Sequence, residues 1–366
     1  MNATLRRVVI ATAAVSLTMG LSACGKAKEA DSNGSKDRKK GSPLTIGLLL
    51  PEDQTARYEN FDEPLIKKRV EELCSACNVK YVNAKSDASV QQQQVDSMIT
   101  KDVDVIILDS VDSKSIASSV EKAHEADIPV VAYDRLAEGP ISAYTSFDNA
   151  EVGKVQAKSL LDEIGGKAAQ GQIVMLNGWE ADPNAGDYKK GALSVLKGKV
   201  KIGKSYDVEK WLPNLAHDNT NGAISSLGKD QIVGVYAAND GMAGGAITAL
   251  QHGGFDKLPP VTGQDAELAA VQRIVVGDQF MSVYKPYKSE AKTAAEMAVA
   301  LGWGEDIPAK TAVDSPTTKD VPATLIPPVA LTVENIKETV LKDGLYPLGK
   351  ICAPKFKDAC QRAGLL

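Results

Sequence analysis

A chain of 366 residues with 43% hydrophobic side chains has ample apolar material for a folded core, and its formal charge of −5 offers no basic surface for nucleic acid. The three histidines, His124, His217 and His252, have no ligand-like spacing, which argues against a metal centre.

The chain begins with Arg6 and Arg7, an apolar run from Val8 to Ala23, and Leu21-Ser22-Ala23-Cys24. A basic start, a short apolar region and small residues make a secretory signal, and the run is short for an uncleaved bilayer span. A cysteine directly after Leu-Ser-Ala resembles the lipoprotein signal box, in which the thiol of Cys24 is lipidated and becomes the new amino terminus. Residues 1–23 are thus expected to be a lipoprotein signal peptide, with acyl chains on Cys24 holding the protein at the extracytoplasmic face of the cell membrane. No later stretch is apolar enough to cross a membrane. Without the signal, 40 basic face 47 acidic residues, a mild surplus of −7 that favours solubility. Residues 24–43 are rich in Gly, Ser and Lys and have no hydrophobic period, so they read as a disordered tether spanning roughly 25 Å. Its basic cluster, residues 36–40, suits a solvated spacer or contact with anionic headgroups.

From Pro43 strand and helix patterns alternate. Strands are expected at 44–50, 79–82, 103–108 and 129–133, with helices at 65–73, 90–100 and 113–126 between them. A second series follows Ser146: a helix from Asn149 to Ile164, then strands near 172–176, 200–206, 232–236 and 260–263. Alternation at this spacing is the mark of parallel, doubly wound sheets. About 320 residues exceed one comfortable core, and two series imply two similar lobes.

Six apolar runs end in hydrogen-bonding side chains. Pro129-Val-Val-Ala-Tyr ends in Asp134-Arg135, Val105-Ile-Ile-Leu in Asp109, Ile173-Val-Met-Leu in Asn177, and Val233-Gly-Val-Tyr-Ala-Ala in Asn239-Asp240. Val261-Thr-Gly-Gln leads to Asp265 and Ser282-Val-Tyr to Lys285. Open α/β sheets bind ligands at the carboxyl ends of their strands. For a single Asp-Arg dipeptide a solvated loop ion pair is the plainer reading, but the pattern recurs.

Once Cys24 is lipidated, two close pairs remain, Cys74/Cys77 and Cys352/Cys360, which outside the cytoplasm read as local disulfides. For Cys-Ser-Ala-Cys a redox site is the rival reading. There is no nucleophile elbow, no P-loop and no dinucleotide fingerprint, because the glycines of Ala243-Gly-Gly-Ala246 fall inside a helix. The carboxylates have amide or cationic neighbours, which suits recognition better than acid catalysis. Polar groups that donate and accept several hydrogen bonds match a polyhydroxylated, uncharged ligand. Aromatic residues are only 5% of the chain, so Trp211 and Tyr58 stand out as either packing or platforms for a sugar's C–H face.

Six segments taken together, Ala132-Tyr-Asp-Arg135, Ser146-Phe-Asp-Asn149, Ala238-Asn-Asp240, Ala243-Gly-Gly-Ala246, Gly263-Gln-Asp-Ala266 and Val283-Tyr-Lys-Pro286, resemble the D-xylose-binding proteins of bacterial ABC importers, within the type I periplasmic sugar-binding family. The resemblance runs from about Leu44 to Tyr346, leaving the 349–366 tail outside it. It implies two hinged Rossmann-like lobes with parallel sheets, joined by three crossings and closing on a pentose. The expected lobes are residues 44–147 with 266–314, and 148–265 with 315–366. Carried over by position, Arg57, Asp134, Arg135, Asn184, Asn239, Asp265 and Lys285 would bond sugar hydroxyls and Trp211 would stack on the ring. Tyr58 stands where the family has a tryptophan.

The expectation is therefore a lipid-anchored, monomeric solute receptor without cofactor. It would deliver a monosaccharide, D-xylose first, to an ABC permease. The rivals are a sugar sensor feeding a membrane kinase and a secreted glycoside-acting enzyme.

Overall fold

In the computed structural model, which describes residues 39–366, the alternation becomes an α/β fold of mostly parallel sheets with flanking helices. The signal sequence, Cys24 and residues 25–38 of the tether lie outside the described residues. Among those described, no helix is long and apolar enough to cross a membrane.

Strands β1 (Thr45–Leu50), β2 (Asn78–Asn83), β3 (Val105–Leu108), β4 (Val130–Tyr133) and β5 (Ala143–Phe147) run parallel, with β1 between β2 and β3. β3 and β4 are buried along their whole length, as parallel strands covered on both faces must be. The pleat divides their side chains between two cores. Leu48, Ile107, Val131 and Tyr133 pack towards α1 (Glu63–Leu73). Leu49, Ile106, Leu108, Val130 and Ala132 pack towards α2 (Ala88–Thr100) and α3 (Ala117–Glu125).

The second sheet, ordered β7-β6-β8, comprises β6 (Gln172–Asn177), β7 (Lys201–Asp207) and β8 (Ile232–Ala237), all parallel. Its helices are α4 (Asn149–Ile164), α5 (Pro183–Leu196), α6 (Pro213–Leu227) and α7 (Asp240–His252). Side chains at the preceding turns accept from their first amides: Asp148 from Glu151 N–H, Asp182 from Asn184 N–H and Asn239 from Met242 N–H. Several polar residues at strand ends are thus helix caps as well. α4 and α5 cross so closely that a Cβ at Gly191 would lie 2.1 Å from the Ala150 carbonyl oxygen. The strand expected at 260–263 is reduced to a single bridge, Val235 to Val261.

After α8 (Leu268–Val276) and β9 (Ser282–Tyr284), the chain returns to the first sheet with α9 (Tyr287–Gly302), whose alanines join the α1-side core. There β10 (Thr311–Val313) pairs antiparallel with β11 (Val321–Ile326), and β11 lies parallel to β5. The chain then crosses again to β12 (Val329–Leu331), which pairs with β9. The three crossings therefore follow β5, β9 and β11. This corrects the expected boundaries: 266–284 stays with the second sheet, through the bridge Gln264 to Val283, while 315–326 belongs to the first. The 349–366 tail packs on α8, with Ile351, Cys360 and Leu365 against Val271 and Ile274. Cys74–Cys77 and Cys352–Cys360 are both disulfide-bonded.

Candidate functional site

The carboxyl ends of both sheets face one crevice, a narrow cavity of about 20 Å³ lined by residues from each. The loop after β1 supplies Thr55, Arg57 and Tyr58, and the turn after β4 supplies Asp134 and Arg135. Across from them stand Asp182, Tyr188, Trp211, Asn239, Gln264, Asp265 and Lys285. A larger groove lies at the other end of the second sheet, lined by Lys167, Ile232, Phe255 and Pro260 among others, away from this convergence of charged groups.

The backbone turns sharply where the site needs it. Asp134 (φ 57°), Trp211 (φ 58°) and Asp265 (φ 95°) all occupy left-handed conformations that side chains other than glycine seldom adopt. Such strain gathers at functional sites. At Asp134 it lets the carboxylate and the next guanidinium reach the same crevice instead of opposite faces of a strand.

Asp134 and Arg135 do not pair with each other. Asp134 Oδ2 accepts from Arg57 Nη1, its Oδ1 accepts from Asn184 Nδ2 at 2.5 Å, and its carbonyl accepts from Ser146 Oγ at 2.7 Å. Burial alone would raise the Asp134 carboxyl, but Arg57, Lys285 and Arg135 outweigh it and hold it below the usual range. Arg135 donates to the Ser110 carbonyl (3.1 Å) and to the Tyr58 hydroxyl (3.2 Å), and its Nε lies 2.8 Å from Asp182 Oδ2 across the crevice. Asp109, fully buried, is 3.6 Å from the same Nε, and burial pushes its carboxyl well up despite Arg135.

On the opposite wall Lys285 Nζ sits 2.9 Å from Asp265 Oδ1 and 5.4 Å from the centre of the Phe147 ring. Trp211 meets Tyr188 edge to face at 6.3 Å, and Gly178 makes room for it. A Cβ at Gly178 would lie 2.1 Å from the Trp211 ring. Asn239 spends its Oδ1 on the cap of α7. Gln264 Oε1 is buried and accepts no hydrogen bond among the described residues.

Eight of the nine residues named from sequence line the crevice: Arg57, Tyr58, Asp134, Arg135, Trp211, Asn239, Asp265 and Lys285. Asn184 does not. It stands behind Asp134 and accepts from Asn149 Nδ2 at 2.9 Å. Thr55, Asp182, Tyr188 and Gln264 were missed. Asp182 carried a signal, since an acid before Pro183 opens a helix. Three cations (Arg57, Arg135, Lys285) meet three carboxylates (Asp134, Asp182, Asp265), so the lining carries no net charge. Among the described residues no cluster of His, Cys, Asp or Glu is arranged to hold a metal ion.

Residues 46–306 match the periplasmic binding protein domain family. The chain is 36% identical over 309 residues to the D-xylose-binding periplasmic protein of Escherichia coli (strain K12), covering 83% of this chain and 91% of that one. It is 31% identical over 326 residues to a multiple sugar-binding periplasmic receptor of Rhizobium radiobacter, covering 82% and 90%. Among solved structures, an ABC transporter solute-binding protein from Clostridium phytofermentans with bound β-D-glucose is similar at a TM-score of 0.78 and 26% identity, covering 84% of this chain and 99% of that one.

Proposed function

The chain belongs to the periplasmic binding protein domain family, and from that premise we propose that its crevice captures a single monosaccharide, D-xylose first, for delivery to an ABC permease. Its homologues and structural neighbours are substrate-binding proteins, not enzymes, and the chain is a sugar-binding component of an ABC transporter. The observation that carries the ligand class is the charge balance of the lining, three cations against three carboxylates around a small cavity with Trp211, Tyr58 and Tyr188. An anion would require surplus positive charge, whereas a neutral polyol requires donors and acceptors in equal supply. Identity of 36% to a D-xylose-binding protein supports xylose, while the glucose-bound neighbour keeps hexoses among the competitors.

In this reading Arg57, Asp134, Arg135, Asn239, Asp265 and Lys285 bond the hydroxyls and Trp211 covers a C–H face. The two halves close because the sugar touches both, which makes the closed form the tighter binder. Lipidation at Cys24 would keep the receptor at the membrane, as one monomer per sugar. Calorimetric titration with D-xylose, the other aldopentoses and D-glucose tests the ligand. Tightest binding to D-xylose supports the assignment, and no heat with any saccharide overturns it. The anchor is tested by fractionation, where Cys24→Ala releases the protein from membranes if the reading holds.

A further inference from the structure

Behind the crevice, one guanidinium serves three carboxylates. Arg57 donates from Nε to Asp62 (2.7 Å) and from Nη2 to Glu290 Oε2 (2.6 Å), while Nη1 donates to Asp134. Asp62 and Glu290 are wholly buried, and Glu290 Oε1 accepts no hydrogen bond among the described residues. Glu290 is on α9 and does not line the crevice. The groups facing it are Arg57 and Asp62 from the segment before α1, Tyr133 and Asp134 from the end of β4, Tyr144 from β5, and Lys285 beyond β9. Asp134 is also faced by Lys285 and Arg135. It is therefore the buried Asp62 and Glu290, sharing Arg57 with it, that leave a surplus of negative charge in a dry place, and such a cluster resolves it by holding a proton.

We propose that Glu290 is a positioning residue that orients Arg57 from behind and carries a proton taken up when sugar binds, so that affinity falls as pH rises. The inference rests on the reading of the crevice as a sugar site. Burial pushes Glu290 well up in spite of Arg57, and raises Asp62 in the same way. Any N–H that Arg57 turns to a sugar oxygen is withdrawn from the carboxylates, which favours the protonated form in the complex. A bound state with the higher proton affinity binds its ligand more tightly at lower pH.

The experiment is calorimetric titration of D-xylose and D-glucose at pH 6, 7 and 8, in buffers of low and high ionisation heat, with melts of each protein. The expected result is a fraction of a proton taken up per sugar and affinity falling roughly two- to tenfold per pH unit, one full proton setting the upper limit. Glu290→Gln, which keeps the acceptor for Arg57, removes the slope and still binds at pH 6. Binding without proton uptake in the wild type overturns the inference and leaves the sugar site standing, whereas no binding at any pH overturns the sugar site itself. If Glu290→Gln does not fold, the wild-type uptake and Asp62→Asn decide. Uptake that persists in Asp62→Asn supports Glu290 as the proton carrier, and uptake that vanishes there assigns the proton to Asp62.

Discussion

Arg135 Nε lies 2.8 Å from Asp182 Oδ2, although one residue follows a strand of the first sheet and the other caps a helix of the second. Both are buried, at 2% and 4% exposure, so each neutralises the other where water is scarce. The pair spans the crevice and depends on the two halves being together.

Arg135→Ala should weaken sugar binding roughly ten- to a hundred-fold, because hydrogen bonds to charged groups are worth about 1.5–3 kcal/mol. Asp182→Ala should do the same, and the double variant should lose less than the sum. Titration of the three variants gives the coupling. Strictly additive losses would show that the two act independently.

Gly178→Ala should cost sugar affinity without touching any polar group of the crevice. Its Cβ would fall 2.1 Å from the Trp211 ring, so the indole must move. A loss of about tenfold or more, with shifted tryptophan fluorescence, is expected from displacing one stacked aromatic, and overpacking beside the buried indole should also lower the melting temperature. Wild-type affinity with wild-type emission would remove Trp211 from the ligand's side.

Thermal stability should fall between pH 5 and pH 8. Burial raises Asp240 to about 7, despite Arg273 nearby and hydrogen bonds from Gln279 and Ser282. Its folded value lies above its unfolded one, so the native state holds the extra proton. That contribution is complete below about pH 4 and is lost as pH rises through about 7, at up to ~1.4 kcal/mol per pH unit. Asp109, Asp182 and Glu290 are also raised, first by burial, and act in the same direction. Asp134, held low, opposes them only in acid. Melting curves across this range check the slope, and Asp240→Asn should flatten it. A melting temperature that climbs from pH 5 to 8 contradicts the sign.

Replacing Cys74 and Cys77 by serine should lower stability by about 2 kcal/mol while leaving sugar affinity intact, since that disulfide closes a short loop beside the start of β1, away from the crevice. Denaturant unfolding and titration separate the two. A matching loss of affinity would mean the bond supports the site.

Much of this was legible in the sequence because hydrophobic runs of strand length, spaced by helical patterns, leave few alternatives to a parallel α/β fold. Asn149–Ile164 was read at its observed ends, and the structure adds Asp148 as its cap. The returns to the first sheet were not legible. β10 and β11 are short and exposed in part, and Pro322 interrupts the pattern, so only pairing with β5 makes them strands. In the site, residues ending apolar runs were found because the chain turns there. Tyr188 was not, because it projects from within α5, where no strand end marks it. Nor does sequence order say which acid serves which base: adjacent Asp134 and Arg135 find partners 77 and 47 positions away, Arg57 and Asp182.

The balance of three cations and three carboxylates also bears on how ligand arrives. A neutral lining projects little field into solution, and a neutral sugar would feel little of it, so capture proceeds without electrostatic steering. Dissolved salt, which screens exposed charges beyond about 10 Å at 0.1 M, has little to weaken here. A receptor facing an outside medium of changing ionic strength would therefore collect sugar at a nearly constant rate, set by diffusion and by the time its halves spend apart.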